Sequence, residues 1–225
     1  MLRDLAKASL GSCAMIATQG TPNFNLLGTG FICSNMGHFL TCAHLLDLNK
    51  PVFIGVPPDA NTFPKMLGNT FDFVPAQVVQ FDPVNDVAIL KIDSSDAIIS
   101  CPPASLAYGD ERDSEIGASV AYLGFPFAIN VPKVSQSIIS AKVSTEGGTR
   151  NLMLDTTVND KNSGGPLFDL ASGKIIGIVA GRFAPGGAHP AAWIGAHALG
   201  QDSNISFATG ISYAIDLMKS EKIYE

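Results

Sequence analysis

The sequence predicts an all-β protein of two packed antiparallel halves, barrels or sandwiches of six strands each, closed by a short C-terminal helix. Three observations lead there. The 225 residues include 22 glycines and 14 prolines, a load of turn-formers suited to many short strands rather than a helical bundle. Runs rich in Val, Ile and Phe recur at short intervals, each bounded by Gly, Pro, Asn or Asp. The chain is 46% hydrophobic with mean hydropathy +0.25 and shows neither heptads nor a glycine repeat, which excludes disordered, collagenous and coiled-coil classes.

In the first half the strand-like runs are residues 12–17, 26–34, 38–43, 52–56, 76–81 and 87–92. A further short run lies at 100–103, and the polar, non-periodic stretch 109–116 is the expected connector. The second half carries runs at 119–125, 137–143, 152–158, 166–168, 174–179 and 206–214. This divides the chain into an N-terminal unit 1–108 and a C-terminal unit 117–225. Apolar residues at Ile215, Leu217, Met218 and Ile223 suggest a closing helix over 215–222. The Gly- and Ala-rich segment 181–204 reads as a long surface loop.

Charge and cysteine content narrow the function classes. Lys and Arg number 14 against 20 Asp and Glu, net −6, which disfavours a nucleic-acid partner bound through its phosphates. No apolar run approaches the roughly 18 residues of a membrane span. Residues 8–17 are diluted by Gly11 and Ser12 and preceded by Asp4, so they do not read as a signal peptide, and residues 12–17 read as a first strand. Cys13, Cys33, Cys42 and Cys101 show no C-x-x-C or zinc spacing and read as buried free thiols. That pattern leans towards a cytoplasmic location. No cofactor, metal or specific oligomer is indicated.

Three local features carry chemistry. Asn162-Ser163-Gly164-Gly165-Pro166 lies between two predicted strands. A nucleophilic serine needs a tight turn that presents its oxygen, with backbone amides nearby to hold a developing oxyanion. Thr41-Cys42-Ala43-His44 ends a strand, followed by a short helical turn that would hold a general base rigidly. Asn85-Asp86-Val87-Ala88-Ile89-Leu90 places an acid at the start of an apolar strand. There it can accept from one imidazole nitrogen of His44 and fix its tautomer. Taken singly, each has a plain structural explanation, and His38, His189 and His197 are read that way. The order His, Asp, Ser, two in one half and one in the other, sets these three apart. A thiol or metal enzyme built on Cys42 and His44 lacks further ligands at supporting spacing.

These stretches, together with Gly28-Thr29-Gly30-Phe31-Ile32, resemble the landmarks of trypsin-like serine proteases with the chymotrypsin fold. Ser137-Ile138-Ile139-Ser140-Ala141-Lys142, Gly173-Lys174-Ile175-Ile176-Gly177-Ile178 and Gly210-Ile211-Ser212-Tyr213-Ala214-Ile215 are similar to the HtrA/Deg branch. The resemblance implies two antiparallel six-stranded β-barrels and a serine endopeptidase acting on polypeptides. It implies Ser163 as nucleophile, His44 as general base and acid, Asp86 as orienting carboxylate, and the amides of Lys161 and Ser163 as the oxyanion hole. It places Thr157 at the floor of the substrate pocket, with walls from Ala180, Gly181, Arg182 and the strand near Ile211. The chain stops where HtrA proteins continue into a PDZ domain, so regulation by that route is not expected. Two departures stand out: Lys161 replaces the usual glycine, and Val158-Asn159-Asp160 replaces the usual run before it. A protease-fold binding protein with an impaired oxyanion hole is the alternative reading. If the oxyanion loop rests in a non-competent form, replacing Lys161 by glycine is expected to raise turnover by an order of magnitude or more.

Overall fold

The computed structural model describes residues 2–20, 23–56, 63, 65–66, 72–93, 106–182, 192–194, 197–199 and 204–224. Six strands form the first closed barrel: β1 (Cys13–Gln19), β2 (Phe24–Ile32), β3 (His38–Thr41), β4 (Val52–Val56), β5 (Asp72–Asp82) and β6 (Val87–Ile92). They pair antiparallel in the order β1-β2-β3-β6-β5-β4. The second barrel comprises β7 (Ser119–Gly124), β8 (Lys133–Ser144), β9 (Arg150–Leu154), β10 (Pro166–Asp169), β11 (Ile175–Arg182) and β14 (Ser206–Gly210), in the order β10-β11-β14-β9-β8-β7. Between them in sequence, β12 (Ala192–Ile194) and β13 (His197–Leu199) form a separate two-stranded sheet inside the segment read as a loop. The short run at 100–103, Cys101 and His189 lie outside the described residues.

Burial follows the sequence pattern. From Cys13 to Thr18, β1 is buried on both faces, one into the barrel and one under neighbouring elements, and its side chains are apolar or small. At its centre β8 alternates buried and exposed positions, as expected of a strand with one wet face. Register shifts at Ile16/Ala17, Val78/Gln80, Ile139/Ala141 and Val179/Gly181 supply the local bends that closure requires.

The closing helix, α2 (Ile211–Ser220), starts four residues earlier than the apolar pattern suggests. Glu111 explains the early start. Its carboxylate accepts from the Ser212 amide at 3.1 Å and the Ser212 hydroxyl at 2.7 Å, satisfying an amide of the first helical turn and complementing the helix dipole. A side chain at Gly210 would lie 2.4 Å from that carboxyl group, so the strand must end on a glycine. Glu111 belongs to the expected connector, which is therefore packed onto the second barrel: the Gly109 amide donates to Ile175 O at 2.8 Å. From α2, Ile211, Ala214 and Met218 join an apolar cluster that also holds Phe31, Ile89 and Leu90 of the first barrel and Phe168 and Ile178 of the second. This shared core fixes the two barrels against each other. A further helix, α1 (Leu2–Ser9), precedes β1 and rests Leu5 on the same cluster. Among the described residues no helix is long and apolar enough to cross a membrane.

Candidate active site

His44 sits in a one-turn helix at Ala43–Leu45, directly after β3. Its amide donates to Asp86 Oδ1 at 2.8 Å and its ring Nδ1 lies 2.8 Å from Asp86 Oδ2. A carboxylate only accepts, so Nδ1 carries the proton of the neutral ring and Nε2 keeps its lone pair. Both oxygens of Asp86 thus engage His44, which is held at two points, its backbone amide and its ring. Asp86 itself adopts φ 57 at the start of β6, a left-handed conformation that an aspartate tolerates better than most residues. The preceding turn is built by Asp82, whose Oδ1 accepts from the Val84 and Asn85 amides, each at 3.0 Å. Two nearby aspartates therefore do different work. From the second barrel, the Thr149 hydroxyl reaches Asn85 Oδ1 at 3.0 Å and steadies this corner.

Ser163 lies on the loop between β9 and β10 and is pinned from both barrels. The Thr29 amide of β2 donates to Ser163 O at 2.8 Å, and the Gly164 amide donates to Val179 O of β11 at 2.7 Å. The glycines after Ser163 are sterically required. A Cβ at Gly164 would fall 1.9 Å from Thr29 O, and one at Gly165 would fall 2.0 Å from Leu123 O. Gly28 relates Ser163 to the histidine turn: its missing Cβ would lie 2.7 Å from Ser163 O and 2.5 Å from a methyl of Leu45, the residue after His44.

Before Ser163 the chain holds Lys161 at φ 75. Three hydrogen bonds maintain this conformation. Thr29 Oγ1 donates to Lys161 O at 2.7 Å, the Phe127 amide donates to Asp160 O at 2.9 Å, and the Asn162 amide donates to Asn159 O at 3.2 Å. Because the Asp160 carbonyl points to Phe127, the Lys161 N–H of the same trans peptide points the opposite way. Among the described residues, neither the Lys161 nor the Ser163 amide donates to a protein acceptor. Thr29, Phe127 and Asp160 escaped sequence reasoning, since nothing local in the chain signals a bond such as Thr29 to Lys161 across 132 positions.

Thr157 is half-buried, and the next amide, of Val158, donates to Ser206 Oγ at 2.9 Å. Gly181 and Arg182 pair with Phe207 and Ser206 of β14, and a Cβ on Gly181 would lie 3.7 Å from Ser163 Oγ. Ala180, Gly181 and Arg182 thus flank the serine. Ile211 does not. It opens α2, is fully buried in the shared core, and cannot line the pocket. The strand before it, β14, runs beside Gly181 and Arg182 through Phe207 and Ser206.

Cys42 is buried two residues before His44, and its thiol donates to Val179 O at 3.3 Å. Sγ, a His44 ring nitrogen and an Asp86 oxygen lie within 4.8 Å of one another. Burial first, then the Asp86 charge, pushes the thiol well above its usual range, which opposes the thiolate that metal ligation needs. His38, read as structural, is buried with Nδ1 2.6 Å from Ser34 Oγ.

Two packed six-stranded barrels, with the His44–Asp86 pair on one and a glycine-flanked serine loop on the other, define the chymotrypsin-like class of folds. The sequence model of the trypsin-like peptidase domain matches residues 28–178, and the chain belongs to that family. Its relatives include a probable periplasmic serine endoprotease DegP-like protein of Halomonas elongata, 30% identical over 194 residues, 85% of this chain and 34% of the relative. The magnetosome formation protease MamE of Paramagnetospirillum magneticum is 30% identical over 177 residues, 76% of this chain and 22% of the relative. The chain spans about a third of the length of the DegP-like relatives it matches. A solved structure of the HtrA-type protease AlgW with a tripeptide superposes with TM-score 0.72 at 23% identity, covering 98% of this chain and 63% of that one. The serine endoprotease from Yersinia pestis gives TM-score 0.68 at 21% identity, covering 98% and 66%. These likenesses speak for the fold.

The relatives also correct the cytoplasmic expectation, because the DegP-like proteins are named periplasmic. The inference failed for a physical reason: Cys13, Cys33 and Cys42 are buried in the barrel core. There they serve as small apolar residues that carry no record of the surrounding redox poise.

Proposed function

We propose that this chain is a serine endopeptidase that hydrolyses polypeptides through Ser163, His44 and Asp86 by way of an acyl-enzyme. The observation that carries the reading is a His44 held by Asp86 through both its backbone amide and its ring, with a serine loop whose Lys161 and Ser163 amides donate to no protein acceptor among the described residues. In the first step Ser163 Oγ attacks the scissile carbonyl carbon while its proton passes to His44 Nε2. The carbonyl π electrons move onto oxygen, which the two amides receive. His44 then gives the proton to the leaving nitrogen as the C–N bond breaks, and water repeats the sequence to release the acid. Asp86 keeps the ring in its tautomer and balances the imidazolium formed in transit. The alternative binding-protein reading rests on Lys161, but a lysine keeps its amide and here already adopts φ 75. The relatives' names further support a periplasmic site of action.

Hydrolysis of a quenched peptide with an aliphatic residue at the cleaved position tests the proposal. Ser163→Ala and His44→Ala should each lower kcat by about 10⁴–10⁶, with unchanged melting behaviour, and the double variant should be little worse than either. Full turnover by Ser163→Ala would refute the nucleophile.

A further inference from the structure

Arg182 and Asp160 approach each other near the serine loop. Arg182 ends β11, Asp160 begins the loop that holds Lys161, and Arg182 Nη2 lies 3.8 Å from Asp160 Oδ1. That separation exceeds hydrogen-bond reach. With the carboxylate side chain 65% exposed, it makes a weak, screened pair.

The edge of β11 supplies the rest of the argument. On one side β14 pairs with it as far as Arg182. On the other, β10 pairs only as far as Ile178, and Gly164 and Gly165 bond Val179. Beyond that point no described strand covers residues 180–182, and this open edge lies beside Ser163 Oγ. An extended peptide can add there as a strand. Added antiparallel, as the six strands of this barrel pair with one another, it places the residue bearing the scissile carbonyl near Ala180. Its preceding residues then run alongside Arg182. Alternate side chains share a face, so the residue two before the cleaved one meets the Arg182 side chain. Charge favours an acid at that place, because the side chain it meets is the guanidinium of Arg182.

We infer that Arg182 is a specificity-determining residue that takes an acidic substrate side chain two residues before the cleaved one, exchanging Asp160 for the substrate carboxylate. The inference rests on the peptidase reading. A guanidinium–carboxylate pair at hydrogen-bond distance is stronger than the long pair to Asp160 and often bidentate.

The test uses three peptides with the same aliphatic residue at the cleaved position and Glu, Gln or Lys two residues before it. Wild type should cleave the Glu peptide with kcat/KM about three- to tenfold above the Gln peptide, with the Lys peptide slowest. The Glu advantage should shrink at high salt, collapse towards unity in Arg182→Gln, persist in part in Arg182→Lys, and grow in Asp160→Asn. Binding of the same labelled peptides to Ser163→Ala, followed by fluorescence anisotropy, separates recognition from chemistry. An order Glu, Gln, Lys that depends on Arg182 supports the inference even without turnover, whereas failure of wild type to cleave any of the three speaks against the peptidase reading. Equal values for Glu and Gln, a preference that survives Arg182→Gln, or an acid preferred at the cleaved residue itself would overturn it.

Discussion

Replacing Lys161 by glycine tests the oxyanion loop most sharply. Lys161 holds φ 75, and a residue with a Cβ gives up about 1–2 kcal/mol there relative to its right-handed alternative. Opposing this are the three bonds from Thr29 Oγ1, the Phe127 amide and the Asn162 amide, each worth about 0.5–1.5 kcal/mol net. The bonds together amount to about 1.5–4.5 kcal/mol, which matches or exceeds the strain, so the left-handed form is about half populated or more and a relaxed form with the amide turned away holds the rest. Glycine removes the strain and keeps all three bonds. About 1.4 kcal/mol is a tenfold shift in an equilibrium, but a form already about half populated or more can gain no more than about twofold, so kcat/KM on a neutral peptide should rise by up to about twofold, less than the sequence-based expectation. Global stability should change by less than about 1 kcal/mol, because the glycine also loosens the unfolded chain. Thr29→Val, which deletes one of the bonds, should lower kcat/KM, and adding Lys161→Gly should restore part of the loss, a non-additive pair. A Lys161→Gly enzyme slower than wild type would refute the reasoning and make lysine part of the working site, and one faster by about tenfold or more would show that the wild-type loop rests in the non-competent form.

Two further predictions follow from the pocket and the core. With Thr157, a neutral residue, as the proposed floor of the pocket, a peptide library should show small or medium aliphatic residues at the cleaved position; a profile dominated by Lys and Arg would overturn the pocket assignment. Burial, and secondarily the Lys91 charge, lowers the His38 pKa, and Ser34 Oγ, which accepts from the Met36 amide at 3.1 Å, is placed to donate to the neutral ring. The unfolded chain therefore takes up a proton more readily, so stability should be full above the ordinary histidine value of about 6.5 and fall as pH drops below it. Urea midpoints at pH 8 and pH 5.5 should differ less in His38→Gln than in wild type.

How far the sequence reached is clearest at individual elements. The strands at 52–56 and 87–92 coincide with their expected bounds, because Val, Ile and Leu runs there are sharply flanked by Pro, Asn and Asp. The partnership of His44 with Asp86 was legible because each sits at a strand end whose local pattern fixes it, and the Gly164-Gly165 pair because close packing of backbones leaves room for no other residue. What stayed hidden depends on distant partners. Helix α2 begins at Ile211 because Glu111, 101 positions earlier, accepts from Ser212, and that contact moved Ile211 from the pocket into the core. The same holds for Arg182 and Asp160, which acquire a joint meaning only once β11 and the serine loop lie side by side. Helix α1 was missed because its eight residues offer a single narrow apolar stripe beside a strand-like run.

The central claim, that Ser163 is a nucleophile activated by His44, is tested most directly by covalent labelling with a fluorophosphonate and location of the adduct by peptide mass. The account predicts one adduct, on the peptide carrying Ser163, formed by the native protein, lost on unfolding, abolished in Ser163→Ala and strongly slowed in His44→Ala. A native protein that takes up no label, or one labelled equally well in Ser163→Ala, would contradict it.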